Sequence, residues 1–477
     1  MSLISLEFAA FVALAALLFH LSPLRFRPLL LCAISVLFCA LNDVGSAVAL
    51  VIAATISFYA ARWIDKALDE RRRRILLGTA VGIVLAHLVL IKLAPHLSLA
   101  APHGWLEQML AAFGASYYTL KLVGYLIDVF WRRYPAWTDP VRFGEFATFF
   151  PLLPAGPIQR ANEFAPATDN SAIAGLMTYG LRRILLGLLK KLLVADRLGG
   201  LVDYIAGGQP EHANVIWVMA YLFPIQLYVD FSALTDIGIG VAAIFGIRAP
   251  ENFAFPFFAP SIGEFWRRWH MSLTRWLGDY VFTPLRMMTR SLGVLGLALS
   301  IALNMALIGM WHAVSYGWLL FGLINAVFLI ADTLTMRLRR RIFKERAGLA
   351  SVAAVAGPIL VYHMIAFSLV CFRAQTLPDI GYWFGNLLDG LSAPRAGLSQ
   401  LFYSYGRGPC AYDFAALCVF TLFESGLYLR ARGWRRLASL PGFGELPRGV
   451  RWAGYYLALL LVGIASQQST RFIYVQF

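Results

Sequence analysis

Charge is scarce in this sequence. Asp, Glu, Lys and Arg make up 14% of its 477 residues, while 59% are hydrophobic. An ordinary soluble domain carries about 25% charged residues. A water-soluble fold has no means of hiding so much apolar surface, so the shortage excludes a soluble protein and leaves an integral membrane one. Cysteine is equally sparse: Cys32, Cys39, Cys371, Cys410 and Cys418 stand mostly in apolar runs without CxxC spacing. That excludes a disulfide framework and a thiolate metal centre, and the five serve as small core side chains. P-loop, GxSxG, HExxH and metal-spaced clusters are also missing. Their absence argues against an ATP-driven pump or a metallohydrolase, and neither a metal nor a bound cofactor is expected.

Of the two signs of charge, the acidic one is the rarer, with 26 Asp and Glu against 41 Lys and Arg and a net charge of +15. In a soluble chain such an excess would point to nucleic acid. Here the basic residues gather in short loops, where they set orientation and meet anionic lipid headgroups. The expected partner is the bilayer, with no nucleic acid.

Apolar runs fill nearly the whole length. A spanning helix needs about 20 apolar residues, and candidates fall at 3–21, 28–42, 46–61, 75–94, 105–130, 175–195, 214–230, 232–247, 292–312, 315–335, 352–372, 412–430 and 452–466. The first has no basic leader and no clean cleavage site, so it reads as a span rather than a signal peptide. The apolar stretch 145–158 contains Pro151, Pro154 and Pro157. It is expected to be a re-entrant or broken element, tolerable only where protein covers it. No internal repeat is present. The fold class expected is an all-α polytopic membrane protein in one domain, 1–477.

Three loops are strongly basic: 62–74 with Arg71 to Arg74, 337–346 with Arg339, Arg340 and Arg341, and 430–451 with Arg430, Arg432, Arg435 and Arg436. All three should be cytoplasmic, which puts both termini and the loop 373–411 outside. Seven candidates lie between the first two basic loops where an even number is required. One of them is not a full crossing, and the region 214–247 is the suspect.

Several constellations carry chemical potential. Between Ser291 and Ala331 no Asp, Glu, Lys or Arg occurs, and the one titratable imidazole is His312, in Gly309-Met310-Trp311-His312. An ionisable residue within a membrane segment marks a functional site by default, although a neutral histidine bonded to a backbone carbonyl is the alternative. If 292–312 and 315–335 form a hairpin, His312 lies near its turn. His363, in the run 352–372, poses a lesser version of the same question.

In Glu264 to Tyr280, the residues Phe265, Trp266, Trp269, Leu273, Trp276, Leu277 and Tyr280 recur at steps of three and four. That spacing predicts one helix with a single apolar face. The helix either anchors in the interface or turns His270 inward, while Arg267 and Arg268 meet an anionic donor. Asp230 and Asp236 interrupt the apolar stretch 214–247 and predict a helix break satisfied by Asp230 and Ser232. Lys190, Lys191, Asp196 and Arg197 look like a snorkelling helix end. Lys121 and Asp128, seven apart with Tyr117, Tyr118 and Tyr125 beside them, share a face and would be able to pair.

Eight strings together resemble the membrane-bound O-acyltransferase family, in particular its bacterial alginate O-acetyltransferase branch. They are Ser116 to Asp128, Phe149 to Arg160, Leu186 to Asp196, Gln226 to Gly240, Glu251 to Pro256, Phe265 to Tyr280, Gly309 to Ala313 and Phe472 to Phe477. The resemblance is densest over about 110–375, with peripheral spans at 1–94 and 412–466. It implies a ring of roughly 11–13 transmembrane or re-entrant helices around a thinned core with funnels from both sides. It also implies acyl transfer to a hydroxyl. The family's essential histidine matches His312 and its second characteristic histidine matches His270. Ala313 stands where the family usually has glycine.

The chemistry suits these residues. Transfer from a thioester to a hydroxyl needs a base, and an imidazole of unperturbed pKa about 6.5 meets that need. His312 is the expected general base, with His270 positioning a reactant or polarising the carbonyl. Trp266, Trp269 and Trp276 would wall a tunnel, Arg267 and Arg268 would draw a donor's phosphates, and Trp311 and Asp230 join the donor-binding candidates. The expected reaction takes acetyl groups from acetyl-CoA or an acyl-carrier thioester in the cytoplasm across the bacterial inner membrane to an exported polysaccharide such as alginate or cellulose. By resemblance, a periplasmic acetyltransferase and a polysaccharide synthase would be partners. D-alanyl transfer to teichoic acid, which shares the His270-Met271-Ser272-Leu273 string, is the enzymatic alternative. The Ala- and Arg-rich composition leans away from it toward a Gram-negative source. A transporter with a His and Asp proton relay, and a non-catalytic scaffold of a polysaccharide synthase, are the other readings.

Overall fold

The computed structural model describes residues 1–93, 113–167, 169–207, 213–373, 376–386, 399, 401–434 and 443–466. Among these the chain is all-α, apart from one isolated bridge between Pro166 and Ile247. Among the described residues, nine helices are long and apolar enough to cross a membrane. The protein is therefore a polytopic all-α membrane protein. The terminal string Phe472 to Phe477 lies outside the described residues, as do 105–112 of the expected span 105–130 and much of the loop 373–411.

The chain divides into two compact units. The first comprises Met1–Ile184, Leu234–Asn252 and Ser272–Pro284. It opens with α1 (Leu6–Leu21), α2 (Arg27–Asn42), α3 (Val44–Lys66) and α4 (Glu70–Leu93), followed by α5 (Ala115–Phe130) and α6 (Pro140–Thr148). Helix α5 packs on α3 and α4, and α6 lies on α2. Rings from these elements interlock: Phe38 meets Phe150, and Tyr125 meets Phe143 and Phe146. The proline-bearing stretch 145–158 is broken and protein-covered, as expected. Its 3₁₀ turn Phe150–Leu152 is buried, and its backbone is held by side chains from distant positions. Phe150 N–H donates to Ser35 Oγ at 3.2 Å and Ile158 N–H to Ser272 Oγ at 3.0 Å.

Helix α7 (Asn170–Lys190) runs through a π-helical turn, Lys191–Ala195, into α8 (Asp196–Gly207). Helix α9 spans Ala213–Ile244 without interruption, Pro224 included. The two spans expected at 214–230 and 232–247 are thus one helix, and the predicted break at Asp230 and Ser232 does not occur. The reason is that the polar groups find partners without disturbing the helix. Ser232 Oγ donates to the Val229 carbonyl at 3.3 Å, Asp230 pairs with Lys191, and Asp236 pairs with Arg183 at 2.7 Å. Merging the two leaves six of the seven candidates between the first two basic loops, and five of these six appear among the described helices long enough to cross a membrane, 105–130 not being one of them.

In the first unit α7 and the end of α9 approach closely because both present glycine. A Cβ on Gly180 would stand 2.4 Å from the Gly240 carbonyl oxygen. Lys121 and Asp128 do not pair. They share a face of α5, but two turns separate them by about 10 Å along the axis. Lys121 Nζ lies over the Phe146 ring at 4.5 Å. Asp128 accepts from Arg133 at 2.8 Å, Tyr134 Oη at 3.0 Å and Tyr280 Oη at 2.8 Å.

The second unit comprises Leu185–Ala233, Phe253–Met271 and Leu285–Phe477. Its segment Phe253–Met271 holds α10 (Ile262–Arg268), after which the chain continues in the first unit through α11 (Met271–Leu277) and a π turn at Gly278–Phe282 into α12 (Thr283–Met288). The hairpin expected from 292–312 and 315–335 is present as α13 (Gly293–His312) and α14 (Tyr316–Glu345), joined by three residues. Helix α15 (Ala347–Arg373) packs on α14. Then come α16 (Leu377–Gly385), α17 (Arg407–Ala431) and α18 (Arg448–Ala465). Phe414, Val419 and Leu422 of α17 are exposed, as befits a helix whose solvent is lipid.

Candidate functional site

Two glycines set the geometry around His312. A Cβ on Gly309 would stand 2.1 Å from the Trp318 carbonyl oxygen, and one on Gly322 would stand 2.4 Å from that of Met305. Only hydrogen side chains permit this contact of α13 with α14, the small-residue packing that membrane helices use. The turn between them is closed by Ser315, whose Oγ caps α14 by accepting from Trp318 N–H at 3.4 Å. His312 is the last residue of α13, and its imidazole stacks on Trp318 with ring centroids 4.9 Å apart and planes at 25°. Trp311 lies 4.8 Å away, perpendicular, and Phe372 of α15 at 6.3 Å. His312 is half-buried.

His270 enters the same place by a different route. The single helix expected over 264–280 is interrupted. Ser261 caps α10 by accepting from Glu264 N–H at 3.3 Å, α10 ends at Arg268, Trp269 is extended, and His270 has φ 42° before α11 resumes. Positive φ is uncommon for a residue other than glycine and is found where surroundings over-determine it. The interruption has a packing cause. Trp269 buries against Phe253 and Phe265, whereas Trp276 donates Nε1–H to the Leu120 carbonyl at 2.8 Å. The apolar residues of this segment are thus buried in protein, each half on its own neighbours.

The His270 ring is buried. It stands perpendicular to Phe231 at 4.8 Å, and lies 5.7 Å from Trp311 and 6.3 Å from His312. Neither ring nitrogen hydrogen-bonds to another described residue. Burial pushes its pKa from 6.5 down to about 3, so the imidazole is neutral.

The structure brings His270, His312 and Trp311 together. Trp266 and Trp269 extend the aromatic wall through Phe265, and Trp266 reaches Phe321 at 6.3 Å. Trp276 lies in the first unit, held by α5. Arg267 and Arg268 both address Glu264 of their own helix, at 2.7 and 3.6 Å, and Arg267 is exposed. Asp230 is buried in an ion cluster. Lys191 Nζ stands 2.8 Å from its Oδ1 and 2.7 Å from Asp196 Oδ1. Lys191 is therefore no snorkelling residue. His363 is exposed, with Nδ1 2.7 Å from the Ile359 carbonyl oxygen of its own helix. Trp318, Phe372 and Phe231, which complete the ring of aromatics, carry no sequence signal beyond their hydrophobicity. The Lys191–Asp196 spacing of five does not match an α-helical face.

A multi-pass helical protein with paired histidines held among tryptophans has the make-up of a membrane acyltransferase. Residues 138–372 match the model of MBOAT, the membrane-bound O-acyltransferase family, and carry a domain of that family of O-acyltransferases. It is 29% identical to a probable alginate O-acetylase AlgI of Pseudomonas fluorescens over 78% of this chain and 72% of that protein. It is 31% identical to a probable alginate O-acetylase AlgI of Pseudomonas aeruginosa over 57% and 50%. With a teichoic acid D-alanyltransferase of Bacillus subtilis it shares 29% identity over 53% and 66%. The chain thus spans from half to under three quarters of the length of these relatives.

Proposed function

We propose that this protein transfers an acetyl group from a cytoplasmic thioester, acetyl-CoA or an acyl carrier, to a hydroxyl of an exported polysaccharide. The whole chain acts as one acyltransferase domain in the bacterial inner membrane, with both termini periplasmic. The observation that carries this reading is the meeting of His270 and His312, 6.3 Å apart, in a chain similar to named alginate O-acetylases.

His312, half-buried at the end of α13, acts as general base. Its ring nitrogen takes the hydroxyl proton as the oxygen attacks the thioester carbonyl. The tetrahedral intermediate collapses, the C–S bond breaks, and the proton passes from the imidazolium to the leaving thiolate. An ester and a thiol result, and the imidazole is neutral again. His270, neutral and unbonded to other described residues, donates N–H to the carbonyl oxygen as negative charge develops there. Trp311, Trp266 and Trp269 wall the passage, and Arg267, exposed, meets the donor's phosphates with Arg268 beside it. A periplasmic acetyltransferase and a polysaccharide synthase are the proposed partners.

Replacing His312 by Ala in the inserted chain tests the assignment, with polymer acetylation as the measurement. A loss of at least a hundredfold is expected, and full acetylation by a properly inserted variant overturns it. The likeness to a teichoic acid D-alanyltransferase supports a second reading, D-alanyl transfer. Supplying acetyl and D-alanyl thioesters to the purified protein separates the two.

A further inference from the structure

Lys191, Asp196 and Asp230 form a fully buried cluster of one ammonium and two carboxylates, with Nζ–O distances of 2.7 and 2.8 Å. Burying three charges inside a membrane protein is costly, and an ion cluster is weak evidence for stability in itself. The backbone is bent to make it. In an α-helix, positions five apart point about 140° away from each other. The π turn Lys191–Ala195 inserts one residue and brings Lys191 and Asp196 round to one side, and such turns concentrate at functional sites. The next turn of α8 also comes close to α9. A Cβ on Gly199 would meet Gln226 Nε2 at 2.9 Å, and Gln226 is one turn before Asp230.

The residue after Asp230 is Phe231, about 100° round α9. Its ring stands perpendicular to His270 at 4.8 Å and to Phe253 at 5.3 Å, and Phe253 in turn meets Trp269 at 5.3 Å. One helix therefore carries the cluster on one side and the wall of the His270 site on the next. Rotation of α9 would pull Asp230 from Lys191 and Phe231 from His270 together.

We propose that Lys191, Asp196 and Asp230 are positioning residues for the acyl-transfer site. Their ion pairs lock the rotation of α9 so that Phe231 holds the His270 imidazole in place. The proposal rests on the acyltransferase reading above for its kinetic consequence, but its geometric consequence is separate.

The test uses the full chain, purified and reconstituted in lipid vesicles, with Lys191→Met, Asp196→Asn and Asp230→Asn combined so that no lone charge is left buried. Transfer from acetyl-CoA to a soluble oligosaccharide is followed together with the ¹H–¹³C signal of His270, assigned by its loss in His270→Gln. The triple variant is expected to melt within a few degrees of the parent, to lose at least tenfold in kcat with KM within twofold, and to shift the His270 signal. A folded triple variant with parental kcat and an unmoved His270 signal overturns the proposal. If the triple variant does not fold, Phe231→Leu, which leaves the cluster intact, takes its place. The same kcat loss and signal shift support the link, and no change in either overturns it. A parallel His312→Ala variant that retains transfer would sink the catalytic reading alone, since the His270 signal reports the positioning regardless.

Discussion

The α-carbon of Gly309 faces the carbonyl oxygen of Trp318 so closely that a methyl group there would stand 2.1 Å from it. This contact, one turn before His312, fixes how α13 and α14 meet and hence how the imidazole stacks on Trp318. Gly309→Ala must push the helices apart, because backbone cannot give way as a flexible side chain does. Overpacking of this kind costs about 1–3 kcal/mol or more. Thermal melting in detergent should fall, and acyl transfer should fall further than the loss of folded protein explains. Gly348→Ala, where nothing lies within 4 Å, should leave both unchanged.

His270 makes stability depend on pH. Its pKa in the folded chain is about 3, below its ordinary value of 6.5, so the unfolded chain binds the proton more readily. The neutral ring's contribution is fully present above pH 6.5 and is lost progressively as pH falls toward 3. Melting temperature should drop across that window. In His270→Gln, which does not titrate, the drop should be shallower by the part His270 supplies. An identical pH profile in the two chains would remove His270 from the account.

Asp128 satisfies three donors in the first unit, from Arg133, Tyr134 and Tyr280. Asp128→Asn keeps the shape but turns an amide N–H₂ toward groups that themselves donate. A cost of about 1–3 kcal/mol is expected. Tyr280→Phe, which removes one of the three donors, should cost about 1 kcal/mol. Melting of the single and double variants should show the two effects to be less than additive, since both act on one carboxylate.

Arg267 is exposed and among the described residues is paired with Glu264 one turn earlier, a bridge worth about 0–1 kcal/mol. Arg267→Ala should therefore leave melting nearly unchanged. As a contact of the donor's phosphates it should raise KM for acetyl-CoA several-fold with kcat unaltered. A short acetyl thioester without phosphate should be used equally well by both chains. Equal KM for acetyl-CoA would remove this arginine from donor binding.

Much of this was legible in the chain. His312 stands alone in some forty residues without Asp, Glu, Lys or Arg, and a lone imidazole there needs no neighbours to draw notice. The hairpin whose first helix ends on it follows from two apolar runs set a few residues apart. Other features misled. Asp230 and Ser232 suggested a break in α9 because a carboxylate in an apolar run must be satisfied, and sequence does not reveal that the satisfying group is Lys191 some forty residues earlier. Lys191 itself resembled a snorkelling end because its partner sits five positions on, a spacing that becomes a contact only once the helix widens into a π turn. The helix drawn through Glu264 to Tyr280 obeyed the α-helical period, yet the buried walls on its two halves differ, and the chain turns at His270 to serve both.

The sequence by itself determined that the protein lives in lipid, where most of its apolar spans run and which histidine is conspicuous, because hydrophobicity and periodicity are local properties of the chain. Only the tertiary structure decided that His270 stands beside His312, that Asp230 is an ion-pair partner and that Phe231 touches the imidazole. Those facts depend on how closely helices approach and how each is rotated about its axis. Glycine contacts and buried charges set both, acting between residues far apart along the chain.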